Sequence, residues 1–266
     1  MKTDTPPVLE TIQLGVSIGN TTVCRGLNLT LHRGERLAVL GRNGAGKSTL
    51  LSVLAGLREP QTGQVLLDGS SYSQLGSRRS AQLRGWLGQH QSNTFASTVL
   101  EATLVGRYPH LSRWKWESEK DLLLVKDALS RVSLANFDQR DILSLSGGER
   151  QRQAIATLLT QAPRLYLLDE PTTHLDLQHQ IKTLNLFGKS SEGSGSPISN
   201  DLSCIMVLHE PGLAVRFCSR ALLLFDDGSF ELGNCEKVVN ASSLTRLYGY
   251  PLREVSDGDR RWFIPA

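Results

Sequence analysis

Residues Gly41-Arg42-Asn43-Gly44-Ala45-Gly46-Lys47-Ser48 leave this chain few choices of fold. They fit the pattern GxxxxGK[ST], a loop that wraps a phosphate. The chemistry asks for these residue types. Glycines let the backbone double back so that its N–H groups point inward around an anion. The helix that follows aims its positive end at the same place. Lys47 reaches the β- and γ-phosphates, and Ser48 offers a hydroxyl to Mg²⁺. A glycine-rich turn that holds nothing is the plain alternative. The context argues against it: an apolar run from Arg36 to Leu40 enters the loop as a buried strand, and a helix is expected from Lys47 to about Leu57. Gly41, Asn43, Gly44, Ala45, Gly46, Lys47, Ser48 and Thr49 are therefore the expected nucleotide-binding residues, with Mg²⁺ beside the phosphates.

Composition narrows the partners. The 266 residues carry a net charge of +3, too slight to argue for nucleic acid, and no long Lys/Arg run makes a patch. A pI near 8.7 fits a protein working beside an anionic membrane surface, as it fits many others. Hydrophobic residues make up 39% of the chain, enough for an ordinary globular core. No stretch approaches the ~20 apolar residues needed to cross a bilayer, and Met1 to Glu10 has no apolar segment of the secretory kind. If the protein serves a membrane, another chain must supply the span. Of the cysteines, Cys24, Cys204, Cys218 and Cys235, none forms a CxxC pair, and they read as buried thiols suited to a reducing cytosol.

Along the chain, Leu27, Leu29 and Leu31 alternate with polar residues, the period of a half-buried strand, and Arg33-Gly34-Glu35 reads as a turn. Val65 to Leu67 with Asp68-Gly69 is another strand and turn. From Thr98 to Gln161 the pattern is helical. Thr98-x-x-Glu101 and Ser146-x-x-Glu149 have capping-box spacing, and Leu122, Val125 and Leu129 mark one helix face. Strands resume at Leu165 to Asp169 and at Cys204 to Leu208. Ala221 to Phe225, Asp226-Asp227-Gly228 and Ser229 to Leu232 read as a hairpin. The Gly/Ser/Pro stretch 188–200 is expected to be a flexible surface loop. The expected organisation is one α/β domain over 1–266, with a core at about 8–95 and 162–250 and a helical subdomain at about 96–161.

A second cluster of chemistry is Leu165-Tyr166-Leu167-Leu168-Asp169-Glu170. An apolar strand ending in a carboxylate can hold Mg²⁺ beside the phosphates, which suits Asp169, and the next carboxylate, Glu170, can polarise an attacking water as general base. Alone, an acidic pair after a strand more often begins a helix; beside the phosphate loop the metal reading is preferred.

Leu145-Ser146-Gly147-Gly148-Glu149-Arg150-Gln151 closely resembles the signature motif of ABC ATPases, and it lies shortly before the acidic strand, in family order. The same residues read as a capped helix start, and both readings hold together, because such a start also presents free N–H groups to an anion. The resemblance implies that Ser146, Gly147 and Gly148 meet the γ-phosphate held by a second copy. It covers about Val8 to Tyr250 and extends residue by residue. Gln89 falls at the Q-loop glutamine, which senses Mg²⁺ and touches the membrane partner. Pro171 to Asp176 resembles the D-loop, with Asp176 at the subunit interface. His209 resembles the H-loop histidine that contacts the γ-phosphate. The resemblance implies a P-loop NTPase core with an antiparallel β-subdomain and an inserted helical subdomain. Departures are Ile18, where the family usually has an aromatic residue to stack on adenine, and Glu210-Pro211, since Asp is common after the histidine.

Gly106-Arg107-Tyr108-Pro109-His110 and Leu247-Tyr248-Gly249-Tyr250-Pro251-Leu252 resemble segments of the ATPases that serve iron-siderophore, haem and cobalamin importers. That group implies a head-to-tail dimer with two ATP molecules sandwiched in it. It also implies two permease subunits, a substrate-binding protein acting indirectly, and a peripheral position on the cytoplasmic face of the inner membrane. Glu170, His209 and Gln89 are the expected catalytic residues, and Ser48, Gln89 and Asp169 the metal-linked ones. Alternatives are an ABC subunit for a different cargo, or an ABC-type ATPase of DNA repair or translation. No sustained heptads lie between Ser48 and Leu145, as the long coiled coil of the repair ATPases requires, and the chain has one ATPase unit where the translation factors have two.

Overall fold

The computed structural model describes residues 6–89, 96–112, 116–188, 202–258 and 260–266. Two sheets organise it. Strands β1 (Leu9–Ile18), β2 (Thr21–Leu27), β3 (Thr30–Leu31), β5 (Thr62–Leu67) and β6 (Ser70–Ser71) form an antiparallel sheet of order β2-β1-β5-β6, with β3 also paired to β1. Strands β4 (Arg36–Gly41), β7 (Arg84–Leu87), β8 (Leu165–Asp169), β9 (Ser203–Val207), β10 (Arg220–Leu224) and β11 (Phe230–Asn234) form the central sheet, order β11-β10-β4-β9-β8-β7. All its pairs are parallel except β10 with β11. Helices α1 (Lys47–Leu54), α2 (Tyr72–Leu83), α3 (Val99–Leu104), α4 (Glu119–Arg131), α5 (Gly147–Gln161), α6 (Leu177–Phe187), α7 (Pro211–Phe217), α8 (Cys235–Val238) and α9 (Ala241–Tyr248) complete the layers, and β12 (Leu252–Asp257) pairs with β13 (Arg260–Pro265) in a separate hairpin. This is the α/β class read from the sequence, with an antiparallel sheet beside the core and helices between β7 and β8.

Strands β4, β8 and β9 are buried at every position, which is why they read as unbroken apolar runs. The period of two is still there, hidden by uniform hydrophobicity. Leu37 and Val39, Leu165 and Leu167, Ile205 and Val207, and Leu222 and Leu224 point to one core, shared with α1 and the antiparallel sheet. Ala38 and Leu40, Tyr166 and Leu168, Cys204 and Met206, and Ala221 and Leu223 point to the other, shared with α4 to α7. All four cysteines are buried. Burial pushes the Cys24 thiol up to about 11 and the Cys204 thiol to about 12.

Three local expectations are corrected. The helix after the phosphate loop stops at Leu54, short of Leu57. Gly56 takes φ 66, its N–H bonds to Val53 O and the Leu57 N–H to Ser52 O, a left-handed cap that ends the helix. The alternation Leu27, Leu29, Leu31 does not form one strand. All three side chains are fully buried, but the chain breaks between β2 and β3, where the Thr11 hydroxyl donates to Leu27 O and accepts from Leu29 N. The strand expected at Val65 starts at Thr62. Of the Gly/Ser stretch 188–200, only Gly188 lies within the described residues.

Candidate functional site

Parallel strands all present their C-terminal ends on one side, where open α/β sheets gather ligands. Here four adjacent strands deliver the candidate residues to that edge. β4 leads into Gly41–Ser48, β9 ends two residues before His209, β8 ends at Asp169 with Glu170 next, and β7 ends two residues before Gln89.

In the phosphate loop, Gly44 and Gly46 both take φ 86, in the left-handed region that favours glycine. A Cβ on Gly46 would also stand 2.3 Å from Val23 Cγ2, so the position admits no side chain. Lys47 is buried, and its Nζ donates to Gly41 O and Arg42 O, each at 2.9 Å. Burial pulls its ammonium below the usual lysine range, while the charges of Glu170 and Asp169 oppose that pull. Ser48 and Thr49 open α1 next to it. Arg42 pairs with Asp226 at 2.7 Å across the loop's outer side. Asn43 is exposed and Ala45 half-buried.

Asp169 is 2% exposed. Burial raises its carboxyl above the usual range, with the Ser48 hydroxyl and the Lys47 and His209 charges pulling it down and Glu170 pushing it further up. Its Oδ1 is buried with no hydrogen-bond partner among the described residues. Such orphaned acceptors are rare and costly in proteins. A buried, unpartnered carboxylate oxygen on a residue that also reaches the Ser48 hydroxyl is part of a hard oxygen donor set of the kind Mg²⁺ takes, so the residues fit that ion.

Glu170 sits at φ 51, outside the usual range for a residue with a side chain. Three groups converge on its carboxylate. His209 Nε2 lies 2.7 Å from Oε1. Gln89 Nε2 donates to Oε2 at 3.3 Å, and the Thr173 hydroxyl donates to the same oxygen at 3.2 Å. Gln89 is exposed and His209 half-exposed, whereas Glu170 is mostly enclosed. Two of the residues expected to be catalytic, His209 and Gln89, thus meet the third, Glu170, at its carboxylate.

Ser146, Gly147 and Gly148 lie elsewhere. Ser146 caps α5 through a complete capping box with Glu149, and Arg140 pairs with Glu149 at 3.1 Å. The helix is tied to the segment after Glu170: Gln151 Nε2 donates to Pro171 O at 3.2 Å, and a Cβ on Gly148 would stand 2.9 Å from His174 O. Among the described residues no hydrogen bond joins Ser146–Gly148 to the phosphate loop. Asp176 caps α6, its Oδ1 accepting from His179 N at 2.8 Å and facing His179 Nδ1 at 2.9 Å. Those bonds hold its carboxyl below the usual range. Ile18 is exposed at the end of β1.

Thr173 carries no mark in the sequence beyond a hydroxyl three positions after Glu170 in the same turn. The 106–110 segment has a structural task that its letters do not disclose. A Cβ on Gly106 would meet Thr157 O at 2.3 Å, and Arg107 pairs with Asp121 at 2.7 Å.

A glycine-lined anion cradle, a buried lysine, an orphaned carboxylate oxygen and a glutamate held at the edge of a parallel sheet define an ATPase of the P-loop class. The family described as ABC transporter matches residues 24–173. The chain is 38% identical over 232 residues to a petrobactin import ATP-binding protein of Bacillus anthracis, covering 87% of this chain and 83% of that one. It is 39% identical to a hemin import ATP-binding protein of Myxococcus xanthus, covering 86% and 85%. Among solved structures, a metal-chelate type ABC transporter in an inward-facing conformation superposes with a TM-score of 0.81 at 30% identity, covering 98% of each chain. This chain belongs to the ABC transporter family, among its ATP-binding subunits, which hydrolyse ATP to drive transport.

Proposed function

We propose that this ATPase energises import of a metal chelate (a ferric siderophore, haem or cobalamin) through a membrane permease. The relatives named for petrobactin and hemin import, and the metal-chelate type structure, support this cargo class. Among the described residues no helix is long and apolar enough to cross a membrane, which fits a subunit docked on two permease chains at the cytoplasmic face of the inner membrane.

In this reading Gly41, Asn43, Gly44, Ala45, Gly46, Lys47, Ser48 and Thr49 hold the ATP phosphates. Ser48, Asp169 and Gln89 face Mg²⁺, which when bound neutralises phosphate charge. Glu170 accepts a proton from the attacking water as general base. His209 leaves its resting contact with Glu170 to meet the γ-phosphate. Gln89 links the carboxylate to the permease side, so that occupancy of the site and docking are coupled. Ser146, Gly147 and Gly148 of a second copy close over the nucleotide, with Asp176 at the same interface. ATP then acts as a ligand with higher affinity for the closed dimer, and hydrolysis reopens it.

The observation that carries the hydrolytic part of this reading is the convergence of His209 and Gln89 on the Glu170 carboxylate, at 2.7 and 3.3 Å. The test is affinity purification of tagged Glu170→Gln from native membranes with MgATP. A polytopic permease is expected to co-purify, and uptake assays with cobalamin, haem and ferric siderophores then name the cargo. Ribosomes, DNA-repair proteins or no membrane protein, with the dimer intact, would leave only the ATPase.

A further inference from the structure

The Glu170 carboxylate makes contacts of two kinds. Those from His209 and Gln89 come from other strands, and both side chains reach it from exposed positions. Each also has another task in the proposed cycle, at the γ-phosphate or at the permease. A carboxylate held only by partners that depart when nucleotide binds would lose its aim at the moment it is needed. The remaining contact is of the other kind. Thr173 lies in the same turn, half-buried, and grips Glu170 at both ends. Its N–H donates to Glu170 O at 3.2 Å, and its hydroxyl donates to Glu170 Oε2 at 3.2 Å. The turn is anchored: Pro171 is buried, and its carbonyl accepts from Gln151 of α5. Glu170 needs such an anchor, because its φ of 51 disfavours the conformation in any residue with a Cβ.

We propose that Thr173 is a positioning residue that keeps the Glu170 carboxylate aimed at the attacking water after His209 and Gln89 have turned away. The inference rests on Glu170 being the general base. The hydroxyl bond is 3.2 Å long, a length that the reacting complex can shorten. A threonine suits the task better than a longer donor. Its branched Cβ restricts χ1, so the hydroxyl has few other directions to take.

The test compares Thr173→Val, Thr173→Ala and Thr173→Ser with the parent chain. It measures kcat and KM for MgATP, affinity for a fluorescent ATP analogue, and the melting temperature. Valine keeps the shape and removes the donor. Serine keeps the donor. Loss of one hydrogen bond to a charged group predicts a fall in kcat of about tenfold for Thr173→Val and Thr173→Ala. KM, analogue affinity and melting temperature should stay near the parent values, and Thr173→Ser should recover most of the rate. In a Glu170→Gln background, single-turnover hydrolysis should show no further loss on adding Thr173→Val, because the two changes remove one function. Parent-like kcat in the valine and alanine variants overturns the proposal. So does an equal loss in serine, or a loss of the same size in the Glu170→Gln background. Glu170→Gln measured alone keeps the two ideas apart: if it turns over normally, the general-base reading fails and the positioning role falls with it. If it is inactive while Thr173→Val is not, only the positioning role fails.

Discussion

Glu170 is the residue on which the proposed chemistry turns, and its surroundings make a sharp prediction. Its carboxylate is mostly enclosed, accepts from Gln89 and Thr173, faces His209 Nε2 at 2.7 Å, and carries a charge felt by Lys47 and Asp169. Replacing it with glutamine keeps the shape and most of the hydrogen bonding but removes the proton acceptor. Hydrolysis by Glu170→Gln should fall by about 10²-fold or more, the scale of general-base catalysis, while ATP affinity is retained. Steady-state turnover beside an ATP-binding titration checks both halves, and a variant with ordinary turnover would remove Glu170 from the reaction. The sequence made the types of residue legible here, because a glycine-rich loop and a strand ending in Asp-Glu have few uses together. It did not make their meeting legible. Gln89, Glu170 and His209 are far apart in the chain, and only the order β9-β8-β7 makes them neighbours. Nor do residue letters disclose that Glu170 takes a positive φ, a conformation the surrounding turn imposes on it. The hydroxyl of Thr173 could not stand out for the same reason, since a threonine in a turn has many ordinary uses.

At the scale of elements, ends were legible where a side chain does the capping. Thr98 with Glu101 and Ser146 with Glu149 form complete capping boxes. Ser71 with Gln74 and Ser118 with Asp121 do as well, but the first opens a polar helix with a kink at Gly76, and the second uses the shorter acid. The hairpin of β12 and β13 was not legible. Most residues of β12 are exposed, so no alternation marks it. The cap at Ser118 belongs to a larger fastening. Asp121 accepts from the Ser118 N–H and hydroxyl, and Arg107 reaches it from the 106–110 segment at 2.7 Å. The Ser118 hydrogen bonds first, and Arg107 after them, hold the Asp121 carboxyl down at about 2, against an ordinary 3.8. A depressed folded-state value means stability that is fully present above the unfolded value and lost as pH falls through the folded one. Asp121→Asn should therefore cost roughly 1.5–3 kcal/mol near neutrality, the range for hydrogen bonds to a charged group. The gap between variant and parent should narrow as pH falls from about 4 towards 2. Denaturant unfolding of both chains across that range decides the matter; a gap that ignores pH would mean that the charge on Asp121 contributes nothing.

For the whole molecule, the arrangement of its parts sets how many copies a working site needs. The central sheet brings the phosphate loop, Asp169, Glu170, Gln89 and His209 to one edge. The segment from Pro171 to Asp176 then leads away from it, and α5 is fixed to that segment by Gln151 and by the close approach of Gly148 to His174. Ser146 thus begins a rigid helix whose first N–H groups have no carbonyl of their own turn to meet, and among the described residues nothing bonds Ser146–Gly148 to the phosphate loop of the same chain. Under the proposed function, a chain built this way carries two halves of different sites. Each can be completed by a second copy turned head to tail, an arrangement that closes on itself with two-fold symmetry. Glu170→Gln with MgATP should then elute from size exclusion as a dimer, and chelating the metal should return it to monomer. Adding Ser146→Arg to that variant should also leave monomer, although ATP still binds, because the arginine stands where the partner's nucleotide must enter. Losing the Ser146 cap lowers stability by about 1 kcal/mol in either case, so a melting curve alone cannot distinguish the roles. If the double variant still dimerises on MgATP and only melts earlier, Ser146 is a helix cap and nothing more, and the second copy must be held by some other surface.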